Sequence, residues 1–285
     1  MSTAETPRQA ARNAKRTLER VKRPAGKFHP ARYFRGADDL GFYNVGTDAM
    51  RALARSIYLA HRKDWSIDEA MAFANVLIRD RYLEAKSLGI EVLARYRREF
   101  GPRLLPVWKR WLSDNHAANW ATTDAMSCYL IGPLLVTHPE LGARLRVWAR
   151  DRNLWVRRAS IVGLILRARK GGSLDLVYEI ARQLHADRED LIQKAVGWTL
   201  REAGKTDTPR LERYLRANGA AIPRTTLRYA IERFPPQRRR ALLEATRTKD
   251  QGRTKDQGWT KDQGRTEDQG RTKNQAPRTR DQSGS

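Results

Sequence analysis

The chain has 285 residues, a formal net charge of +24 and a hydrophobic content of 40%, which suffices for one large domain with a substantial core. Its single cysteine, Cys128, excludes an intrachain disulfide framework and a cysteine-based zinc site, and favours a reducing compartment. The longest largely apolar runs have eight residues, whereas a membrane-spanning helix needs about 20, so we expect a cytoplasmic protein with no membrane partner.

The two ends of the chain differ in composition from its middle. Residues 1–28 carry a charge of +6 and lack the apolar stretch of a secretory signal, which predicts a basic, flexible N-terminal segment. Residues 248–285 repeat the hexapeptide TKDQGR with small changes and offer almost no apolar side chains, which predicts a disordered tail. The remaining residues, 29–247, keep a charge of +15, and a folded domain this basic indicates a phosphate-rich partner.

The middle of the chain is predicted to be helical, because no stretch shows sustained strand alternation. Its helices also repeat: residues 155–159 (WVRRA) align with residues 191–195 (LIQKA) at an offset of 36 residues, each after a short polar turn. Helical pairs with a period of roughly 36–45 residues are typical of HEAT-like solenoids. We therefore predict an all-α, HEAT-like α-solenoid of about six helical pairs, in which the second helix of each pair lines the concave face.

The segment Asn119–Asp124 places an aromatic ring and a carboxylate on one face of a predicted helix. Trp120 and Asp124 are four residues apart and therefore point the same way. A carboxylate on a basic, anion-binding surface weakens binding, but it is useful where positive charge develops during a reaction. Two structural explanations remain open for Asp124, a charge near a helix N-terminus or an ion-pair partner of an arginine, and core packing remains open for Trp120.

The repeat alignment supplies three further candidates. Arg158 and Lys194 occupy equivalent positions in consecutive repeats, so they would form part of a basic concave face that holds a duplex by its phosphates. Trp198 lies one helical turn after Lys194 on the same face, with core packing as the alternative. Gly197 leaves bare backbone beside that indole, where a bulky partner could approach. The five histidines show no metal-ligand spacing, so we expect no metal site.

Three motifs make the chain similar to a known family. Residues 154–159 (LWVRRA), 192–202 (IQKAVGWTLRE) and 223–232 (PRTTLRYAIE) resemble the AlkD-type DNA alkylation repair glycosylases, and the resemblance spans roughly residues 33–234. The resemblance implies a HEAT-like solenoid that holds duplex DNA in its concave cleft and removes alkylated purines. It further implies a monofunctional enzyme that needs no metal or organic cofactor and does not flip the lesion into a pocket.

The resemblance also implies roles for individual residues. Asp124 matches the catalytic aspartate, Trp120 and Trp198 match the tryptophans that flank the damaged nucleotide, and Arg158 matches the arginine that grips the DNA backbone. The family usually has a second acidic residue directly after the first tryptophan, and this chain has Ala121 there. That departure leaves open a branch without glycosylase activity.

The leading hypothesis is a monomeric DNA glycosylase that hydrolyses the N-glycosidic bond of cationic N3- and N7-alkylpurines in duplex DNA. We expect it to be cytoplasmic and associated with the nucleoid through its DNA. The alternative is a non-catalytic HEAT-like module that binds damaged or distorted DNA. A helical scaffold for protein partners fits the architecture but not the charge of the middle segment.

Overall fold

The computed structural model describes residues 5–25, 34 and 39–246, and these residues are mostly helical. The α-helices in this part of the chain are α1 (Pro7–Arg20), α2 (Thr47–His61), α3 (Ile67–Leu77), α4 (Leu83–Leu93), α5 (Leu104–Ser113), α6 (Trp120–Met126), α7 (Gly132–Thr137), α8 (Gly142–Trp148), α9 (Leu154–Val162), α10 (Ile165–Ala168), α11 (Leu174–Gln183), α12 (Asp190–Gly204), α13 (Thr208–Asn218), α14 (Arg224–Ala230) and α15 (Pro236–Ala245). Short 3₁₀ segments cover Ala94–Glu99 and Pro139–Leu141, and a π-helical segment covers Ser127–Ile131.

The prediction of an all-α, solenoid-like fold is confirmed. Within the described ranges, the β-structure is limited to one isolated bridge between Gly41 and Tyr82. No helix in those ranges is both long enough and apolar enough to cross a bilayer. The predicted disorder of residues 248–285 concerns a segment outside the described residues.

Six helices form one continuous layer, which we call the site layer: α2, α4, α6, α9, α12 and α14. They begin 36, 37, 34, 36 and 34 residues apart, and each packs against the next. The helices between them pack against this layer from the other side and form an outer layer, which includes α3, α8, α11 and α13. The alternation of the two layers along the chain gives the repeat that the 36-residue offset indicated, while the number of repeat units stays a prediction.

Hydrogen bonds of polar side chains connect consecutive repeats. The Arg157 guanidinium lies 2.7 Å from the Asp187 carboxylate in the next interhelical turn and also donates to two carbonyls of its own turn. The Thr226 hydroxyl on α14 donates to the Gln193 carbonyl on α12 at 2.9 Å. Such bonds fix how each site-layer helix is rotated against its neighbour, and that rotation decides which side chains meet at the site.

The N-terminal segment is not flexible throughout, which corrects the expectation for residues 1–28. Residues Pro7–Arg20 form α1, and Thr6 begins it with a capping box in which Gln9 is the reciprocal partner. The helix packs against α3 and buries one apolar face, made of Ala10, Ala11, Ala14 and Leu18. The sequence does not predict this buried helix because three of the four residues in its apolar face are alanines. Alanines give a weak hydrophobic signal among so many basic residues.

Candidate active site

The site begins at the N-terminus of α6, where the sequence predicted a helix. Asn119 is the N-cap in an extended conformation, and its side chain accepts a hydrogen bond from the Thr122 backbone N–H at 2.8 Å. The Thr123 hydroxyl donates to the Ala117 carbonyl at 2.9 Å, which fixes the preceding turn. Because the cap is Asn119, Asp124 is available for another partner.

The helix continues past α6 through a π-helical turn. Pro133 sits inside this continuous helix and has no N–H to donate to the carbonyl four residues earlier. The Gly132 N–H instead reaches back five residues to the Ser127 carbonyl, which gives the π-helical segment Ser127–Ile131. Single π-turns within α-helices occur often at functional sites, and this one directly follows the helix that carries Trp120 and Asp124.

Asp124 and Arg158 form a bidentate ion pair between adjacent site-layer helices. Arg158 Nε lies 2.7 Å from Asp124 Oδ1, and Arg158 Nη2 lies 2.7 Å from Asp124 Oδ2. Arg158 Nη1 also donates to the Leu191 carbonyl on α12. Asp124 is 8% exposed and Arg158 only 3%. Of the two structural explanations for Asp124, the structure therefore shows an ion pair with arginine.

Two opposing effects act on the Asp124 carboxyl. Burial raises the pKa of Asp124 above its ordinary value, while the charge and hydrogen bonds of Arg158 lower it. Both carboxylate oxygens accept hydrogen bonds from the guanidinium, which favours the ionised form, although burial is the larger effect and the pKa of Asp124 is raised overall. The pair thus keeps a negative charge in a place where solvent would not stabilise it.

Trp120 lies one turn before Asp124 and is half-buried. Its indole stacks on the ring of Phe34, with ring centroids 5.3 Å apart and planes inclined by 7°. Phe34 in turn contacts Phe42 at 5.4 Å. The N-terminal part of the chain therefore supplies an aromatic neighbour to the candidate tryptophan, and no local sequence pattern predicts this contact.

Lys194 and Trp198 lie on α12, next to the helix that carries Arg158. Lys194 Nζ lies 2.8 Å from Asp190 Oδ2, and its side chain is 29% exposed. Trp198 is 8% exposed and belongs to the core, so core packing describes most of its indole. The structure thus brings Asp124 and Arg158 into contact, with Trp120 one turn away and Lys194 and Trp198 on the following helix.

Gly197 serves a different purpose from the one the sequence suggested. A Cβ at this position would lie 2.4 Å from Tyr229 Cβ and 2.6 Å from the Thr226 carbonyl oxygen. The bare backbone admits α14, so the bulky partner beside Gly197 is the chain's own next helix. The expectation of an open approach for another molecule was wrong at this residue.

The fifth residue of four successive site-layer helices follows one register. These residues are Asp124, Arg158, Lys194 and Arg228. Arg228 is not among the residues that the sequence predicts, because the repeat alignment extends only to Lys194. Arg228 follows Lys194 by 34 residues, the spacing that also separates Asp124 from Arg158, whereas the 36-residue offset of the repeat alignment leads to Ala230.

Comparisons with known proteins agree with this architecture. A model of the family described as DNA alkylation repair enzyme matches residues 14–234. A solved structure described as a predicted DNA alkylation repair enzyme from Enterococcus faecalis has a TM-score of 0.62 and 14% identity, over 83% of this chain and 100% of that one. The search of curated proteins found no match. Because the family model matches well over half of the sequence, the chain belongs to the family of DNA alkylation repair enzymes.

Proposed function

We propose that the protein is a DNA glycosylase that hydrolyses the N-glycosidic bond of cationic N3- and N7-alkylpurines in duplex DNA, without flipping the lesion into a pocket. The observation that carries the proposal is the buried Asp124 carboxylate, which Arg158 holds through both oxygens one helical turn from Trp120. Membership in a DNA alkylation repair family provides the context for that charge.

Asp124 would act on the charge that develops during bond cleavage. Alkylation at N3 or N7 makes the purine cationic and a good leaving group, and departure of the base leaves positive charge on the sugar. A carboxylate stabilises this oxocarbenium-like transition state more than the neutral ground-state sugar, which is the condition for catalysis. It can also orient the attacking water. No metal, organic cofactor or lyase step enters this mechanism.

Arg158 would act mainly through Asp124. Two short hydrogen bonds from one planar guanidinium fix both the position and the rotation of the carboxylate. A fixed carboxylate is already aimed at the sugar when DNA arrives, so little reorganisation is needed at the moment of reaction. The phosphate-gripping role implied by the family resemblance would have to operate from a guanidinium that is 3% exposed.

The remaining candidates would hold the duplex. Trp120 would contact the damaged nucleotide with the exposed part of its half-buried side chain, and the π face of an indole attracts a cationic base. Trp198 would contribute only the small edge that reaches the surface. Lys194 and Arg228 would contact phosphates on successive helices. The partner is duplex DNA containing alkylated purines, bound by a monomer in the cytoplasm and associated with the nucleoid.

A second candidate function has two observations in its favour. Ala121 stands where the family usually has an acidic residue, and the Asp124–Arg158 pair by itself is also a sound structural ion pair between repeats. A non-catalytic module that binds damaged or distorted DNA is therefore the alternative. It predicts tight DNA binding without base release.

The two functions are separated by Asp124→Asn. This change keeps the shape of the side chain and removes its charge, so a glycosylase should lose base release while duplex binding persists. The measurement is release of methylated purine from methylated duplex DNA, compared with the spontaneous rate, together with the binding constant for the same duplex.

Asp175→Asn is the matched control, because Asp175 pairs with Arg210 on the outer layer and is largely exposed. It should leave release and binding unchanged. Wild-type protein that binds the duplex but releases no base above the spontaneous rate would contradict the glycosylase proposal and favour the binding module.

A further inference from the structure

The exposed side of α1 carries a row of arginines. Arg8, Arg12 and Arg16 follow one another at four-residue intervals and are all exposed, so they lie within about 80° of the helix circumference. We call these three residues the arginine stripe. From Pro7 to Arg23 the chain has seven Lys or Arg residues against one acid, Glu19, so the stripe is the centre of a strongly basic surface.

The stripe is not an ion-pair network within the protein. Lys15, beside it, pairs with Asp80 at 2.5 Å and helps to attach α1 to the domain. The structure gives no ion-pair partner to the three stripe arginines among the residues it describes. Their charges therefore face solvent together.

This arrangement is unfavourable for the isolated helix. Like charges four residues apart destabilise a helix by about 0.2–0.5 kcal/mol per pair. Arg8 also lies in the first turn, which contains no acidic residue, and a cation there opposes the helix dipole. A polyanionic partner would turn each of these repulsions into an attraction.

The other face of α1 decides which polyanion fits. A helix that binds a membrane surface inserts its apolar face into the lipid, but the apolar face of α1 is buried against α3. What remains outside is a line of guanidinium groups carried on a folded helix. From Arg8 to Arg16 it extends for about 12 Å, over which a DNA duplex presents roughly seven phosphates.

We propose that the arginine stripe is a second DNA-binding surface, which contacts the phosphate backbone of a duplex outside the candidate active site. The stripe belongs to α1, which packs mainly against the outer-layer helix α3 and makes a smaller contact with α4, whereas Trp120 and Asp124 lie on α6. Arg8 and Arg12 also precede the part of the chain that the family model matches. The surface thus increases the affinity for DNA without taking part in base release. This inference rests on the proposed function only because it takes duplex DNA as the partner.

The test is a triple variant, Arg8→Gln, Arg12→Gln and Arg16→Gln. Glutamine has nearly the helix propensity of arginine, so α1 should stay folded, which circular dichroism and thermal unfolding check. The matched control replaces Arg144, Arg150 and Arg213 by glutamine; these arginines are also exposed, but they are scattered over α8, the turn that follows it, and α13. Binding of an unmodified duplex is measured as a function of salt concentration.

The expected result is a slope of log affinity against log salt that is shallower by about 2 to 3 in the triple variant, close to 0.9 for each lost phosphate contact. The control should change the slope by less than about 1. Base release at saturating DNA should equal that of the wild type.

An equal change in both triple variants, or no DNA binding by the wild type, would overturn the inference. So would loss of binding to anionic lipid vesicles by the stripe variant with DNA binding intact. Absence of base release together with the expected slope change would instead contradict the proposed glycosylase and leave the stripe in place.

Discussion

The ion pair between Asp124 and Arg158 allows a quantitative test through a double-mutant cycle. Asp124→Asn and Arg158→Gln are made singly and together. Each single change leaves one charge of the pair without its counter-ion, in a place where the side chains are only 11% and 4% exposed. The double change removes both charges at once.

The expected energies follow from this burial. Removing one partner of a buried ion pair costs about 3–5 kcal/mol of folding stability, because the remaining charge is left uncompensated. The double variant should be less destabilised than the sum of the two single variants by at least about 2 kcal/mol. A domain in the middle of the ordinary stability range, at about 10 kcal/mol, remains folded after each single change.

Three measurements are made on each variant: the free energy of unfolding in urea, the rate of base release at saturating methylated DNA, and the salt dependence of duplex binding. If Arg158 acts by positioning Asp124, Arg158→Gln should lower the rate of base release while the salt slope changes by less than about 0.5. A phosphate contact made by Arg158 would instead lower that slope by about 1.

Two results would refute the reasoning. Additive destabilisation in the double variant would mean that the two residues do not interact as the distances imply. Base release at the wild-type rate in Arg158→Gln would mean that the carboxylate needs no positioning by this guanidinium.

Three other perturbations test separate parts of the structure. Lys194→Gln should weaken duplex binding equally across sequences and lower the salt slope by about 1, and an unchanged slope would remove Lys194 from the DNA-binding surface. Gly197→Ala should destabilise the fold by about 2 kcal/mol or more through overpacking against α14, whereas Gly101→Ala, with nothing within 4 Å of the added Cβ, serves as a control that should change stability far less. Burial lowers the pKa of His185 to about 4, so the unfolded chain takes up a proton at this residue before the folded one does. The free energy of unfolding should therefore fall by about 3 kcal/mol as the pH is lowered from above 6.5 to about 4. His185→Gln should flatten the pH dependence of unfolding in that window, and an identical pH dependence would show that His185 does not titrate in this way.

The sequence predicted the helical repeat because its signals are local. Asn119 and Asn153 cap α6 and α9 as polar residues before helices should, and the spacing of the helices follows from counting residues. Ser173, directly before α11, instead adopts a left-handed conformation and makes no side-chain cap, so a polar residue before a helix does not by itself establish a cap. The burial of α1 was missed because alanines give a weak hydrophobic signal, and only packing against α3 shows that they belong to the core.

The candidate site was predicted as a set of residues but not as an arrangement. That Trp120 and Asp124 share a helix face follows from helical periodicity. The contact between Asp124 and Arg158 depends on how two helices, with residues 34 positions apart in the sequence, are rotated against each other. Contacts between residues far apart in the sequence determine that rotation. The π-turn after α6 could have been inferred from Pro133, whereas the stacking of Phe34 on Trp120 has no local sequence signal.

The hydrogen bonds of Arg158 also have a mechanical consequence. One side chain is bonded to Asp124 on the preceding site-layer helix and to the Leu191 carbonyl on the following one. In a stack of repeats each interface normally bends independently of the others, but here three successive helices are joined through a single guanidinium. We therefore expect this stretch to resist bending, so that a change in curvature on binding a partner would fall mainly on the repeats on either side of it.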